Sequence, residues 1–121
     1  MNFESMLRAI VENCDGGIAA ALMQSDGIPV AEVTIDPVSL TEEVATAGAE
    51  FGRILDELRK ASDAVGGGAV VETTVHLARM ALVFRVVDED LFLVVALAPD
   101  GNLGKARYLI RKQLLALRQL L

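Results

Sequence analysis

The glycine-containing segment Pro99–Lys105 has residue types that come nearest to a known chemical motif. It follows an apolar run and reads Pro-Asp-Gly-Asn-Leu-Gly-Lys, which resembles half a phosphate-binding loop. The complete motif needs Gly where Pro99 stands and Ser or Thr where Ala106 stands. Proline removes one backbone N–H from the phosphate cradle, and no hydroxyl remains to bind Mg²⁺. We therefore interpret the segment as a tight turn in which Asn102 caps the next helix.

The chain contains one Cys and one His, which limits its metal and nucleophile chemistry. A lone Cys14 excludes a disulfide within the chain and a zinc site built on several Cys, and a lone His76 excludes sites built on several His. Neither residue has sequence neighbours that indicate a nucleophile or a base. We expect Cys14 to be small and half-buried, and His76 to lie at the surface or in a dimer contact.

Acidic side chains cluster at the pair Glu42-Glu43 and in the run Asp88–Asp90. The pair opens a predicted helix, where the helix dipole favours negative charge. The run suits a hairpin tip, and one short run cannot supply the six oxygen ligands of a hard cation. Since no acid, base and nucleophile come together, we predict that the protein is not an enzyme. We also expect no catalytic residue, metal or cofactor.

Length and composition set the class of protein. The 121 residues include 11 Lys and Arg against 17 Asp and Glu, a net charge of −6, and 53% are apolar. These values predict one folded domain over residues 1–121 and argue against nucleic-acid binding. No targeting segment is evident, and the longest apolar run, Leu91–Pro99, is too short to span a bilayer. We therefore expect a cytoplasmic protein.

Hydrophobic periodicity predicts three helices and five strands in the order α-β-β-α-β-β-β-α. The helices are predicted at 3–13, from about 39 to 62 and at 102–121. The middle helix is capped by Ser39 or Thr41, and Glu42 completes a capping box with Ser39. The strands are predicted at 18–23, 30–34, 69–76, 79–87 and 91–98. Two strands, 18–23 and 91–98, are apolar throughout and suit the sheet interior. The more polar strands 30–34 and 69–76 suit the edges. One five-stranded sheet with helices on both faces, an α/β (α+β sandwich) fold, satisfies this pattern.

The long middle helix carries small residues at a helical spacing. Gly48 and Gly52 lie one turn apart beside Ala45 and Ala49, although an interior glycine costs about 1 kcal/mol relative to alanine. Such a seam lets a second backbone approach, and we favour a helix–helix contact in a homodimer over the alternative, packing against the chain's own sheet. The Val- and Thr-rich edge strand would join its twin across the same two-fold axis. The predicted dimer interface consists of Ala45, Gly48, Ala49, Gly52, Val71, Thr73 and Val75.

The last helix has a net positive charge, whereas the rest of the chain has a net negative charge. Residues 102–121 hold five basic residues and no acid, whereas the remainder holds 6 basic and 17 acidic residues. Five charges on one helix are typical of a solvated face. An acidic partner or a membrane surface is the alternative.

Two segments resemble the Roadblock/dynein light chain domain. They are Gly17–Ala31, with an Asp-Gly turn after an apolar strand, and Leu93–Arg107, with Asn-Leu-Gly opening the last helix. The resemblance covers nearly the whole chain. It implies a profilin-like antiparallel sheet in the order 2-1-5-4-3, with the first and last helices on one face and the middle helix on the other. It also implies a homodimer through the middle helix and third strand, without an enzymatic site.

Members of this family bind Ras-like small GTPases or serve as adaptors in dynein, lysosomal and bacterial polarity complexes. A single domain is similar to the bacterial MglB-like members, which activate an MglA-like GTPase in cell polarity and motility. They supply no catalytic residue and use the middle-helix face of the dimer. By position, that face here carries Glu42, Glu43, Thr46, Glu50, Arg53 and Glu57. Since the sequence ends after its last helix, we expect no activity that depends on a C-terminal extension.

Two alternatives to a GTPase regulator stay open at this point. One is a scaffold or adaptor dimer that does not affect nucleotide turnover. The other is a small-ligand sensor, which a deep pocket lined by Phe84, Phe92 and Val94 would favour. The low aromatic content, 4%, argues against a pocket that stacks a ligand.

Overall fold

The computed structural model describes residues 2–35 and 41–120, and for residues 41–46 and 120 it describes the backbone alone. These residues form three helices and five strands in the predicted order. The helices are α1 (Phe3–Glu12), α2 (Thr41–Ala64) and α3 (Leu103–Leu120); the strands are β1 (Gly17–Gln24), β2 (Pro29–Thr34), β3 (Glu72–His76), β4 (Ala81–Val86) and β5 (Leu91–Leu97). The predicted capping residue Ser39 and the Glu42 side chain lie outside what the structure describes.

The strands form one sheet in the order β2-β1-β5-β4-β3, and every neighbouring pair is antiparallel. The two strands predicted to be interior, β1 and β5, are neighbours at its centre. Each is buried on both faces, which is why each reads as a continuous apolar run rather than an alternating one. The strands predicted to be edges, β2 and β3, lie at the two edges.

Helices cover both faces of this sheet. Leu7 and Ile10 of α1 and Ile110 and Leu114 of α3 pack with β-strand side chains such as Val95 in one buried cluster. A second cluster on the opposite face, including Phe84 and Phe92, packs against Phe51 and Leu55 of α2. The predicted fold class, with the first and last helices on one face and the middle helix on the other, is confirmed.

Two strands begin later than the sequence pattern predicts. β3 starts at Glu72 rather than 69, and β4 starts at Ala81 rather than 79. The four residues 77–80 close the hairpin instead, since the Leu77 amide donates to the Met80 carbonyl at 2.8 Å. The alternating residues before each strand therefore belong to connections, which periodicity alone does not separate from strands.

Candidate functional site

The turn before α3 is built from its own hydrogen bonds. The Asn102 side chain accepts from the Lys105 amide at 3.0 Å, which makes Asn102 the helix cap. The Asn102 amide donates to the Asp15 carbonyl at 3.0 Å, and the Gly101 amide donates to Ala98 at 2.9 Å. Since these three amides are engaged within the fold, they are not available to bind a phosphate. The interpretation of this segment as a capped turn is therefore supported by its geometry.

The other chemistry-bearing residues lie apart from one another. Cys14 is buried rather than half-buried, and burial, followed by the Asp15 carboxylate, raises the pKa of its thiol, while Lys105 opposes the shift. His76 is exposed at the end of β3. In Asp88–Asp90, the Asp88 carboxylate accepts from the Asp90 amide at 2.8 Å. Among the described residues, no three His, Cys, Asp or Glu side chains gather into a metal site.

The two glycines of α2 face the chain's own sheet. Gly48 lies against the Met23 side chain and the Gly27 carbonyl, and a Cβ at Gly52 would stand 2.8 Å from the Ser25 carbonyl oxygen. Gly27 itself has φ +90° and contacts the backbone of Ala49. These three glycines let α2 lie directly on the turn that joins β1 to β2. Gly48 and Gly52 therefore pack against the chain's own fold, the alternative that the sequence analysis ranked below a homodimer contact.

Larger apolar side chains are exposed on another side of α2. Ile54 is 51% exposed and Leu58 is 39% exposed. They follow Phe51 by three and seven residues, so they lie on the same side of the helix. The Phe51 ring packs on Phe84 of β4, with ring centroids 4.9 Å apart. This side of α2 therefore faces β4, the strand next to β3, and points away from the β1–β2 turn.

Charged side chains border the two exposed residues. Arg53 donates to Glu50 at 2.6 Å, and Lys60 donates to Glu57 at 3.2 Å. Together with Ile54 and Leu58, Glu50, Arg53 and Glu57 line a shallow depression of about 280 Å³. We call these five residues the α2 outer surface. It combines apolar contact area with a charged rim, as protein interfaces do.

The β3 edge continues on the same side of the molecule. Thr73 and Val75 pair with Phe84 and Leu82, which belong to the buried cluster beneath α2, so both side chains face α2. Val71 precedes β3, is exposed, and accepts from the Val86 amide at 3.0 Å. On the opposite face, Arg107 of α3 donates to Thr74 at 2.8 Å. The β3 backbone is thereby held while its outer edge pairs with no described strand.

The predicted site residues fall into three groups. Glu50, Arg53, Glu57, Ala49 and Val71 are exposed; Thr73 and Val75 are half-buried; Gly48 and Gly52 are buried. The side chains of Glu42, Glu43, Ala45 and Thr46 lie outside the described residues. Sequence reasoning missed Ile54 and Leu58 as surface residues, because they lie on the same apolar stripe as Phe51 and Leu55. The pair of glycines marks a side of α2 that packs closely, but the sequence alone does not show whether that side packs on this chain or on a second one.

An apolar cavity of about 240 Å³ lies between α2 and the sheet. Phe84, Phe92 and Val94 line it, together with Phe51 of α2 and several alanines of β1 and β5. This is the pocket that the sequence analysis named as favouring a ligand sensor. Separately, among residues 2–35 and 41–120, no helix is long and apolar enough to cross a membrane.

The antiparallel order β2-β1-β5-β4-β3, with one helix on one face and two on the other, is a Roadblock-type fold. No protein-family model matches the sequence, and no curated protein matches it. A Roadblock/LC7 domain from Streptomyces avermitilis superposes with a TM-score of 0.86 at 17% identity, over 99% of this chain and 98% of that one. An MglB with a tetrameric arrangement has a TM-score of 0.84 at 17% identity, over 95% and 84%. Both likenesses show the fold.

A further solved structure shows the family. MglC from Myxococcus xanthus is 34% identical to this chain, with 100% of each chain covered and a TM-score of 0.69. The chain therefore belongs to the Roadblock/LC7 family, and its structural neighbours include the bacterial proteins MglB and MglC. The family resemblance stated from the sequence is confirmed.

Proposed function

We propose that this protein is a homodimeric, non-enzymatic regulator of a Ras-like small GTPase of the MglA type, acting in the cytoplasm in bacterial cell polarity or motility. The observation that carries the proposal is the α2 outer surface, where exposed apolar residues and a charged rim stand beside an open strand edge. The 34% identity to MglC over the whole chain supports a role of the Mgl kind.

Homodimerisation is supported by the position of the exposed apolar residues. Ile54 and Leu58 are exposed on the same side of α2 as Phe51, which packs on Phe84 of β4, and Val71 is exposed next to the β3 edge. Pairing two β3 edges would satisfy their free backbone groups, and packing two α2 helices would bury both apolar sides. The MglB with a tetrameric arrangement is a relative in fold that assembles with itself. Of the predicted interface residues, Ala45, Ala49, Val71, Thr73 and Val75 stay a prediction for this dimer, whereas Gly48 and Gly52 are buried against the chain's own β1–β2 turn.

GTPase binding is assigned to the charged rim of the α2 outer surface, which would stay exposed beside the apolar residues Ile54 and Leu58 that the second copy covers. The α2 segment contains six acidic residues against three basic ones, so it suits a basic surface on a partner. Glu50, Arg53 and Glu57 are its exposed described members, and Glu42, Glu43 and Thr46 extend the prediction toward the helix start. Since no acid, base and nucleophile come together among its described residues, the protein would act by binding the GTPase and would supply no catalytic residue.

The test is GTP hydrolysis by the small GTPase encoded nearest this gene, measured with and without the protein. We expect a rise of at least tenfold, which corresponds to about 1.4 kcal/mol off the barrier. Binding in gel filtration with an unchanged rate would instead establish an adaptor that does not affect turnover. If the GTPase does not bind the protein and its hydrolysis rate does not change, the GTPase assignment is overturned.

A further inference from the structure

Small side chains form the floor of the apolar cavity beneath α2. Ala19 of β1 pairs directly with Ala96 of β5, and Ala21 pairs with Val94 two residues further along. All four residues line the cavity. Alanines on two neighbouring central strands leave a depression in the sheet face that larger residues would fill. The depression measures about 240 Å³ and is partly open to solvent.

Aromatic rings form the walls of the cavity. The rings of Phe51 and Phe84 are 4.9 Å apart and those of Phe84 and Phe92 are 6.4 Å apart, measured between centroids. Phe84 and Phe92 are almost fully buried, so their packing fixes the shape of the walls. Leu77, which is 46% exposed, and the half-buried Met80 line the side toward the β3–β4 turn. A flexible methionine there can move aside to admit a small molecule.

The chemistry of the lining selects the ligand. The thirteen described residues that line the cavity are all apolar, and the backbones of β1, β4 and β5 are paired within the sheet. A polar group placed there would lose its hydrogen bonds to water without gaining others. An apolar cavity of about 150 Å³ holds benzene, so the present cavity has room for a somewhat larger molecule.

We propose that this cavity is a binding site for a small nonpolar molecule, of the class of alkylbenzenes or short hydrocarbon chains. The juxtaposition of Ala19, Ala21 and Ala96 on the sheet, with Phe84 as a neighbouring wall, creates the site. It is independent of the GTPase role, since its lining shares no residue with the α2 outer surface. Since Phe51 and Ala47 of α2 form one wall, a bound molecule would also fill the space between α2 and the sheet.

The test is a titration of the full chain with toluene and, as a matched polar probe, phenol, followed by methyl NMR. We expect saturable shifts of the Leu82 and Val94 methyl groups with toluene, an unchanged Leu7 in the other core cluster, and at least about tenfold weaker binding of phenol. Equal binding of both probes, or shifts that do not saturate, would overturn the proposal.

Two variants test the location of the site. Ala96→Leu fills the floor and should weaken toluene binding at least about tenfold, whereas Val94→Ala enlarges the cavity and should let it accept propylbenzene more tightly than the unmodified chain does. Opposite responses cannot come from a general loss of folding. Unchanged affinities in both variants would contradict the site. Isotope-filtered NMR contacts between the Leu82 or Val94 methyl groups and a side chain of a second copy would also overturn the proposal, since that side chain would then occupy the cavity.

Discussion

Replacing Ile54 by Asp should separate the two chains of the proposed dimer. Burying an isoleucine side chain completely is worth about 1.5–3 kcal/mol. Ile54 is 51% exposed in the single chain, so a dimer contact could bury about half of that, about 0.8–1.5 kcal/mol for each chain. Two copies contribute about 1.5–3 kcal/mol, which weakens the dimer about 10- to 150-fold.

The assay is sedimentation equilibrium over a concentration series, with far-UV circular dichroism to confirm that the variant is folded. Leu115→Asp is the matched control. It makes the same change in charge at an exposed residue, 71% exposed, but on α3, which lies across the sheet from α2. We expect the control to dimerise with the affinity of the unmodified chain.

Three results would refute the reasoning. Ile54→Asp could dimerise as tightly as the unmodified chain, which would place the interface elsewhere. Leu115→Asp could weaken the dimer as much as Ile54→Asp, which would make the effect one of net charge. The unmodified chain could stay monomeric at every concentration, which would remove the dimer itself.

Three further substitutions and one chemical reaction test the packing described above. Gly52→Ala should lower the free energy of unfolding by about 1–2 kcal/mol, because the new Cβ meets the Ser25 carbonyl. Gly104→Ala should raise it by about 0.5–1 kcal/mol. Urea unfolding measures both changes, and a Gly52→Ala variant that is more stable than the unmodified chain would contradict the contact. Asn102→Ala should cost about 0.5–2 kcal/mol of stability in the same assay through loss of the α3 cap, and no change would mean that the cap is not used. Cys14 should react with iodoacetamide more slowly in the folded protein than in urea. The reaction rate of the folded protein should rise only above the pH range of an ordinary thiol, since burial raises the thiol pKa. Equal reaction rates at pH 8 with and without urea would show that Cys14 is accessible.

The elements and the layers of the fold could be predicted from the sequence because each rests on a local pattern. Continuous apolar runs marked β1 and β5 as interior strands, and more polar runs marked β2 and β3 as edges. The cap at Asn102 was predictable too, since the residues that need capping follow it directly. Sheet order came from the family resemblance rather than from periodicity, which carries no information on which strands pair.

The side of α2 that lies on the sheet could not be predicted from the sequence. A stripe of large apolar residues and a row of glycines are adjacent on this helix, and either could have faced a second chain. The choice depends on Met23 and on the turn that contains Gly27, which lie some twenty residues away and leave space only for glycine. The cavity was equally hidden, because Ala19 and Ala96 are ordinary residues until the β1–β5 register brings them together.

Binding of the partner GTPase to charge-reversed α2 tests the central claim most directly. The measurement is calorimetric titration of the GTP-bound form of the GTPase encoded nearest this gene into the unmodified chain and into the double variant Glu50→Lys, Glu57→Lys. As a control, Arg111→Glu and Lys112→Glu reverse two charges on α3. We predict that the α2 variant loses binding at least about tenfold while the α3 variant retains it. Equal affinity of the unmodified chain and the α2 variant would contradict the assignment of this surface.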